Sequence, residues 1–284
     1  MTARIGLIGD LHGSWDDEDV RAFNACEYDL LIFTGDLGSG TAKNGVSVAK
    51  SISALTKPSL VMPGNNDVPF LAEIAAEFGH QRGLAAILDL DADPDRRRAR
   101  VRLTGYERHV YEIRSHEFTV VTGRPFAMGG GELSFEDALA RDYGVRSMDE
   151  STERLISLVD EVTTERLLIL GHNGPFGLGG KPTDLWGRDF SPEHGDWGDP
   201  DLDAAVSRAV VRGHELIVVA GHMHQRVAGG GQREWFVRRD DVDFVNPARV
   251  PRIYAGSESE LRYHVTLDIG AEGFQVTEVE WQNA

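Results

Sequence analysis

Short apolar, β-branched runs alternate along the chain with stretches whose apolar positions recur at helical spacing. Runs at 5–9, 30–34, 59–62, 166–170 and 215–220 predict strands. Between them, 17–25, 46–55, 70–78, 149–162 and 202–211 have helical periodicity and few breakers. This rhythm implies sheets covered by helices. Past residue 78 it weakens, and 89–100, with Pro94 and Arg96-Arg97-Arg98, reads as an exposed, solvated loop. A second irregular stretch, 172–200, holds Trp186 and Trp197 among many glycines and is too long for a plain connector, which marks a functional loop. Near the C-terminal end, 252–255, 262–268 and 273–281 alternate like antiparallel strands and are expected to complete a second sheet. The pattern fits one domain over 1–284 with irregular insertions near 81–104 and 172–200.

Composition narrows the function. Of 284 residues, 41% are hydrophobic and 26% charged, which suits a globular core and argues against extended disorder. With 29 Lys and Arg against 46 Asp and Glu, the formal charge is −17, which repels polyanions and disfavours nucleic acid as a partner. Bound divalent cations would reverse the sign locally, so a small anionic substrate remains admissible. Cys26 is the single cysteine, read as a buried apolar residue, and no disulfide within the chain can form. No charged leader follows Met1 and no stretch approaches a membrane span, so a cytoplasmic enzyme without a membrane partner is expected.

The five central strands share a feature that periodicity does not require. Each ends in a small residue followed by side chains that can bind a metal: Gly9-Asp10-Leu11-His12, Gly35-Asp36, Gly64-Asn65-Asn66-Asp67, Gly171-His172 and Gly221-His222-Met223-His224. Ligands bind at the carboxyl ends of strands in α/β folds, so the five turns are expected to converge on one pocket. A carboxylate such as Asp36 can bridge two cations while imidazoles and further oxygens complete each shell. Mixed nitrogen and oxygen ligation favours two divalent ions of manganese, iron or zinc over calcium. Any one of these turns alone is an ordinary structural turn; their joint order carries the signal.

That ordered set resembles the signature of the calcineurin-like metallophosphoesterases and spans Gly9 to His224. The resemblance implies an α/β fold, a four-layer α/β/β/α sandwich of two mixed sheets flanked by helices. It places Asp10, His12 and His224 on one metal, Asn65, His172 and His222 on the other, and Asp36 between them. It implies phosphate ester hydrolysis, of a mono- or diester, in which a hydroxide bridging the metals attacks phosphorus in line. The expected substrate is a small phosphorylated metabolite or nucleotide. The strings Gly129-Gly130-Gly131-Glu132, Gly171-His172-Asn173-Gly174-Pro175 and the run from Val245 to Arg252 also resemble a branch found in photosynthetic lineages, which adds no substrate.

One position departs from the pattern. Most of the superfamily carries histidine after Gly-Asn at the third turn, where it stabilises the transition state and protonates the leaving oxygen; here the residue is Asn66. An amide can donate a hydrogen bond to a phosphoryl oxygen but cannot act as a general acid. Loss of that role admits an alternative, a metal-binding interaction scaffold with weak or no catalysis. His194, in the Trp-bracketed loop, is a candidate substitute acid, and Asp67 a candidate catalytic neighbour that more often orients others. Arg124 and Arg249 are candidate substrate clamps, because guanidinium matches paired phosphoryl oxygens, with surface ion pairing as the plainer role. Lys43 and Asn44 read as a helix start, Gly129-Gly130-Gly131 as a connector, and His80, His109, His116, His214 and His264 as structural.

Overall fold

The computed structural model describes residues 1–39, 42–79, 100–257 and 259–282, with the side chains of Ala42, Lys43 and His194 outside that description. The 89–99 part of the expected charged loop, with its arginine triplet, and His80 lie outside the described residues.

Two mixed sheets form the body of the fold. In the first, β1 (Ala3–Ile8), β2 (Leu30–Phe33), β3 (Ser59–Val61) and β4 (Val101–Leu103) run parallel in that order. Helices α1 (Asp17–Ala25), α2 (Ala42–Ile52) and α3 (Leu71–Glu77) lie between these strands in sequence. In the second, β6 (His116–Thr122), β7 (Arg166–Leu170), β8 (Glu215–Val219) and β10 (Val242–Val245) are parallel. Hairpin partner β5 (Arg108–Ile113) and strand β9 (Phe236–Arg239) close its two edges in antiparallel register. Helices α4 (Glu136–Tyr143), α5 (Met148–Asp160) and α6 (Pro200–Val211) belong to this half.

The side-chain alternation of the strands builds two cores. Ile5, Leu7, Leu30, Ile32, Leu60 and Met62 of the first sheet meet Phe118, Val120, Leu168, Leu170, Ile217 and Val219 of the second in one apolar layer. The opposite faces, including Leu31, Phe33, Val61, Leu167, Ile169 and Val218, pack with helix residues such as Phe23, Ile52, Ile74, Leu155 and Leu202. Strands covered on both faces write themselves as unbroken apolar runs, which is why Leu-Leu-Ile-Phe of β2 is buried at every position. The result is the α/β sandwich of two mixed sheets flanked by helices that the sequence implied.

Two expectations need correction. The C-terminal strands β11 (Ile253–Ala255), β12 (Glu260–Gly270) and β13 (Gly273–Gln282) are antiparallel but join the first sheet, because β12 pairs with the open edge of β1 from Ala3↔Ile269 to Leu7↔Val265. The insertion expected near 81–104 ends earlier, since 101–103 is strand β4 beside β3. The 172–200 loop is irregular as expected, with a short 3-10 turn at Pro192–His194, yet it is anchored: Trp186 is fully buried and its Nε1 donates to the Ala220 carbonyl at 3.3 Å.

His264 on β12 is buried, with Tyr28 Oη 2.6 Å from its Nε2 and the Phe23 ring packed edge-on. Burial, helped by the charge of Arg252, pushes its pKa down to about 3. The folded state therefore keeps the ring neutral while the unfolded chain protonates it near 6.5. Stability from this group is complete above pH 6.5 and drains as pH falls toward 3, at about 1.4 kcal/mol per pH unit. His264→Gln should flatten the stability profile by that slope between pH 6 and about 4, measured by urea unfolding; identical slopes would contradict the assignment.

Candidate metal centre

Five loops leave the carboxyl ends of neighbouring parallel strands and meet where the two sheets adjoin. Gly9-Asp10 follows β1, Thr34-Gly35-Asp36 follows β2 and Gly64-Asn65 follows β3; Gly171-His172 follows β7 and Gly221-His222 follows β8. Asp10, His12 and His224 form one group of potential ligands and Asp36, His172 and His222 a second, the ligand atoms of each lying within 4.8 Å of one another. Asn65 joins the second group, its Oδ1 2.9 Å from His172 Nε2. All seven residues expected to bind metal are thus brought together, and each group draws from both sheets.

Asp36 faces both groups. One carboxylate oxygen is 3.5 Å from His12 Nε2 and the other 3.6 Å from His172 Nε2. Two imidazole nitrogens also converge, His12 Nε2 and His224 Nε2 being 3.0 Å apart with their rings edge-on. Such convergence of lone pairs and carboxylates suits cations, and the nitrogen and oxygen donor set fits manganese, iron or zinc.

Charge and hydrogen bonding act differently on each member of the set. Burial alone would raise the Asp10 carboxyl, but His224, His172 and His12 hold it well below the usual range, and the His222 backbone N–H donates to it at 2.9 Å. Burial, aided by the charge of His172, pushes the His222 imidazole down to about 3, keeping it neutral as metal ligation requires. Burial and the neighbouring carboxylates act oppositely on His172, and Asp36 and Asp10 prevail to raise it. Its Nδ1 donates to the Thr34 carbonyl at 2.7 Å, so in the neutral ring Nε2 carries the lone pair, on the side of Asn65 and Asp36.

Thr34, which periodicity presents only as the last residue of an apolar run, links the two groups: its Oγ1 also donates to Asp10 Oδ1 at 2.9 Å. Its place one residue before Gly35-Asp36 was the available signal. The backbone is strained here as well. His12, Asp36 and His222 have φ of 44°, 48° and 64°, left-handed conformations costing about 1–3 kcal/mol each and kept only where the surroundings enforce them. Two glycines make room for the ligands: a Cβ on Gly64 would lie 2.1 Å from Asp36 Oδ1, and one on Gly221 2.1 Å from Asp10 Oδ1.

The remaining candidates divide. Asn66 donates to Asp36 twice, through its backbone N–H at 2.8 Å and its Nδ2 at 2.7 Å. Asp67 is buried, and both its oxygens accept backbone N–H groups, from Leu37 at 2.9 Å and Gly64 at 2.8 Å. It braces the second and third turns together rather than reaching a substrate; burial, reinforced by Asp36, pushes its carboxyl up to about 7. Arg124 is not a substrate clamp: its buried guanidinium is bound by Asp199 at 2.6 Å and Asp201 at 2.9 Å. Arg249 is taken by Glu280 at 2.7 Å and lies over the Tyr254 ring, and it contacts none of the seven clustered residues. The side chain of His194 lies outside the described residues. Gly130 donates its N–H to the Trp197 carbonyl at 3.1 Å, so this glycine run packs against the long loop. His109, His116 and His214 are bonded to neighbouring structure away from the cluster.

A family model described as calcineurin-like phosphoesterase matches residues 3–226. No curated protein matches the sequence. One crystal structure aligns with 99% of this chain and 100% of its own at a TM-score of 0.60 and 12% identity, a likeness of fold alone. Vacuolar Protein Sorting 29 from Cryptosporidium parvum aligns over 100% of both chains at 12% identity and a TM-score of 0.35. A predicted phosphoesterase from Streptococcus pneumoniae aligns over 100% of this chain and 99% of its own at 12% identity and a TM-score of 0.32.

Proposed function

Because the chain belongs to the calcineurin-like phosphoesterase family, we propose that it hydrolyses a phosphate ester of a small metabolite or nucleotide at a centre of two divalent cations. The observation that carries this reading is Asp36, whose two oxygens face one imidazole from each ligand group. Asp10, His12 and His224 would hold one cation, Asn65, His172 and His222 the other, and Asp36 both. When bound, the pair supplies Lewis acidity toward a phosphoryl group and acidifies a nucleophilic water.

The chain's own groups orient that chemistry. Thr34 fixes Asp10 and His172 relative to each other, and Asn66 fixes the rotation of Asp36. With one Nδ2 hydrogen committed to Asp36, Asn66 retains a second for a phosphoryl oxygen. It has no proton to give a leaving alkoxide, which suits esters whose leaving groups need little protonation.

Protein loaded with manganese or zinc should hydrolyse an activated aryl phosphate or its diester and stop in chelator; activity retained after complete metal removal would sink the reading. Asn66 also supports a second reading, a metal-bearing interaction scaffold, which two bound metals with no turnover of either ester would favour. If the enzyme reading holds, Asn66→His should accelerate poor leaving groups by about a hundredfold while scarcely changing activated ones. Equal acceleration of both classes would contradict the role given to the amide.

A further inference from the structure

Among the described residues five arginines are buried: Arg124, Arg188, Arg233, Arg252 and Arg262. Four of them face carboxylates. Arg124 is held by Asp199 and Asp201, Arg252 by Asp19 at 2.9 Å and Arg262 by Asp16 and Asp19 at 2.8 and 2.9 Å; Arg233 lies 3.5 Å from Asp189. Arg188 is the exception. It is 6% exposed, its Nε and Nη1 are buried without a hydrogen-bond partner, and among the described residues no carboxylate pairs with it. A buried cation without a counter-charge is costly, the more telling in a chain of charge −17 with acids to spare.

Its surroundings hold the guanidinium ready without neutralising it. The charged group lies over the Trp197 ring at 3.9 Å and over the Phe190 ring at 5.0 Å, contacts that fix the plane of the fork but satisfy none of its donors. Both ends of this part of the loop are tied to the candidate metal centre. Gly187, the preceding residue, accepts from Arg233 Nη2 at 2.6 Å, and the same guanidinium donates to the carbonyl of His224. The Trp197 carbonyl accepts from Asn173 Nδ2 at 3.1 Å, and Asn173 follows His172. Arg188 is therefore bracketed by a bond to Arg233, which also holds the backbone of His224, and by one to Asn173, the residue after His172.

We propose that Arg188 is a substrate-binding residue whose missing partner is a phosphate oxygen of the substrate, taken beside the metal centre. A planar fork with unpaired N–H groups matches a phosphoryl oxygen pair, and a carboxylate already in place would defeat that use. The inference rests on the phosphoesterase reading for the identity of the anion, and its test is binding rather than turnover.

The probe is inorganic phosphate, titrated calorimetrically into metal-loaded protein. Arg188→Met should weaken phosphate binding about ten- to hundredfold, and Arg188→Lys should weaken it less, with metal content unchanged in both. In aryl phosphate kinetics the Met variant should raise KM more than it lowers kcat. Phosphate affinity equal to that of the parent in both variants overturns the proposal, as does loss of affinity that follows loss of metal. If Arg188→Met fails to fold, the Lys variant decides: unchanged affinity overturns the proposal and intermediate affinity supports it. Arg188-dependent phosphate binding in a protein that turns over neither ester supports this site while removing the catalytic reading; a metal-loaded parent that binds no phosphate removes both.

Discussion

Asp36→Ala is expected to lower kcat/KM by at least about a thousandfold and to take the bound metal from about two ions per chain to one or none. Every feature around the residue points to a shared carboxylate. Its two oxygens approach imidazoles of different groups, its backbone adopts a left-handed φ of 48°, and the Gly64 backbone leaves no space for a side chain beside it. Removal also releases Asn66, which spends two hydrogen bonds on this carboxylate. Asp36→Asn separates shape from charge, since an amide of the same size keeps the packing but loses the anion. Metal analysis and steady-state kinetics on both variants check the expectation, and full metal content with undiminished activity in Asp36→Ala would contradict it.

Arg124→Met is expected to cost about 3–5 kcal/mol of folding stability and to leave KM unchanged in the protein that folds. The guanidinium sits between Asp199 and Asp201, and Asp201 continues inward to Ser151 at 2.5 Å and through it to the Tyr106 hydroxyl at 2.6 Å. Without the arginine, two buried carboxylates face each other uncompensated. Even with it, burial pushes Asp199 up to about 7, with Arg124 opposing the rise and Asp201 adding to it. A carboxyl raised above its unfolded value of 3.8 favours the fold increasingly as pH drops through 7. The deficit of the variant should therefore be largest near pH 8 and partly recover toward pH 5, as urea unfolding would show. A raised KM with intact stability would restore the substrate-clamp role.

These cases show what a sequence displays and what it conceals. The five ligand-bearing strand ends were legible because a parallel strand buried on both faces is an unbroken apolar run, and the ligand follows immediately at its end. Strand β5 was not: in Arg-His-Val-Tyr-Glu-Ile only His109 is buried, so no apolar run marks it. The C-terminal strands were recognisable by alternation, but their pairing with β1 depends on which edge stands open, a fact no periodicity records. Arg124 looked like a phosphate clamp because its carboxylate partners lie 75 and 77 positions further on. Arg249 deceived for the same reason, its partner Glu280 lying on β13.

Each ligand group takes side chains from both sheets, Asp10 and His12 with His224, and Asp36 with His172 and His222. The spacing between the two halves of the centre is consequently set by the thickness of the apolar layer beneath, by residues such as Leu60, Met62, Leu168 and Ile217. Those side chains act as the shims of the site. A methylene added or removed there would alter the distance between the clustered side chains above, so the geometry of the centre depends on positions that none of those side chains touches.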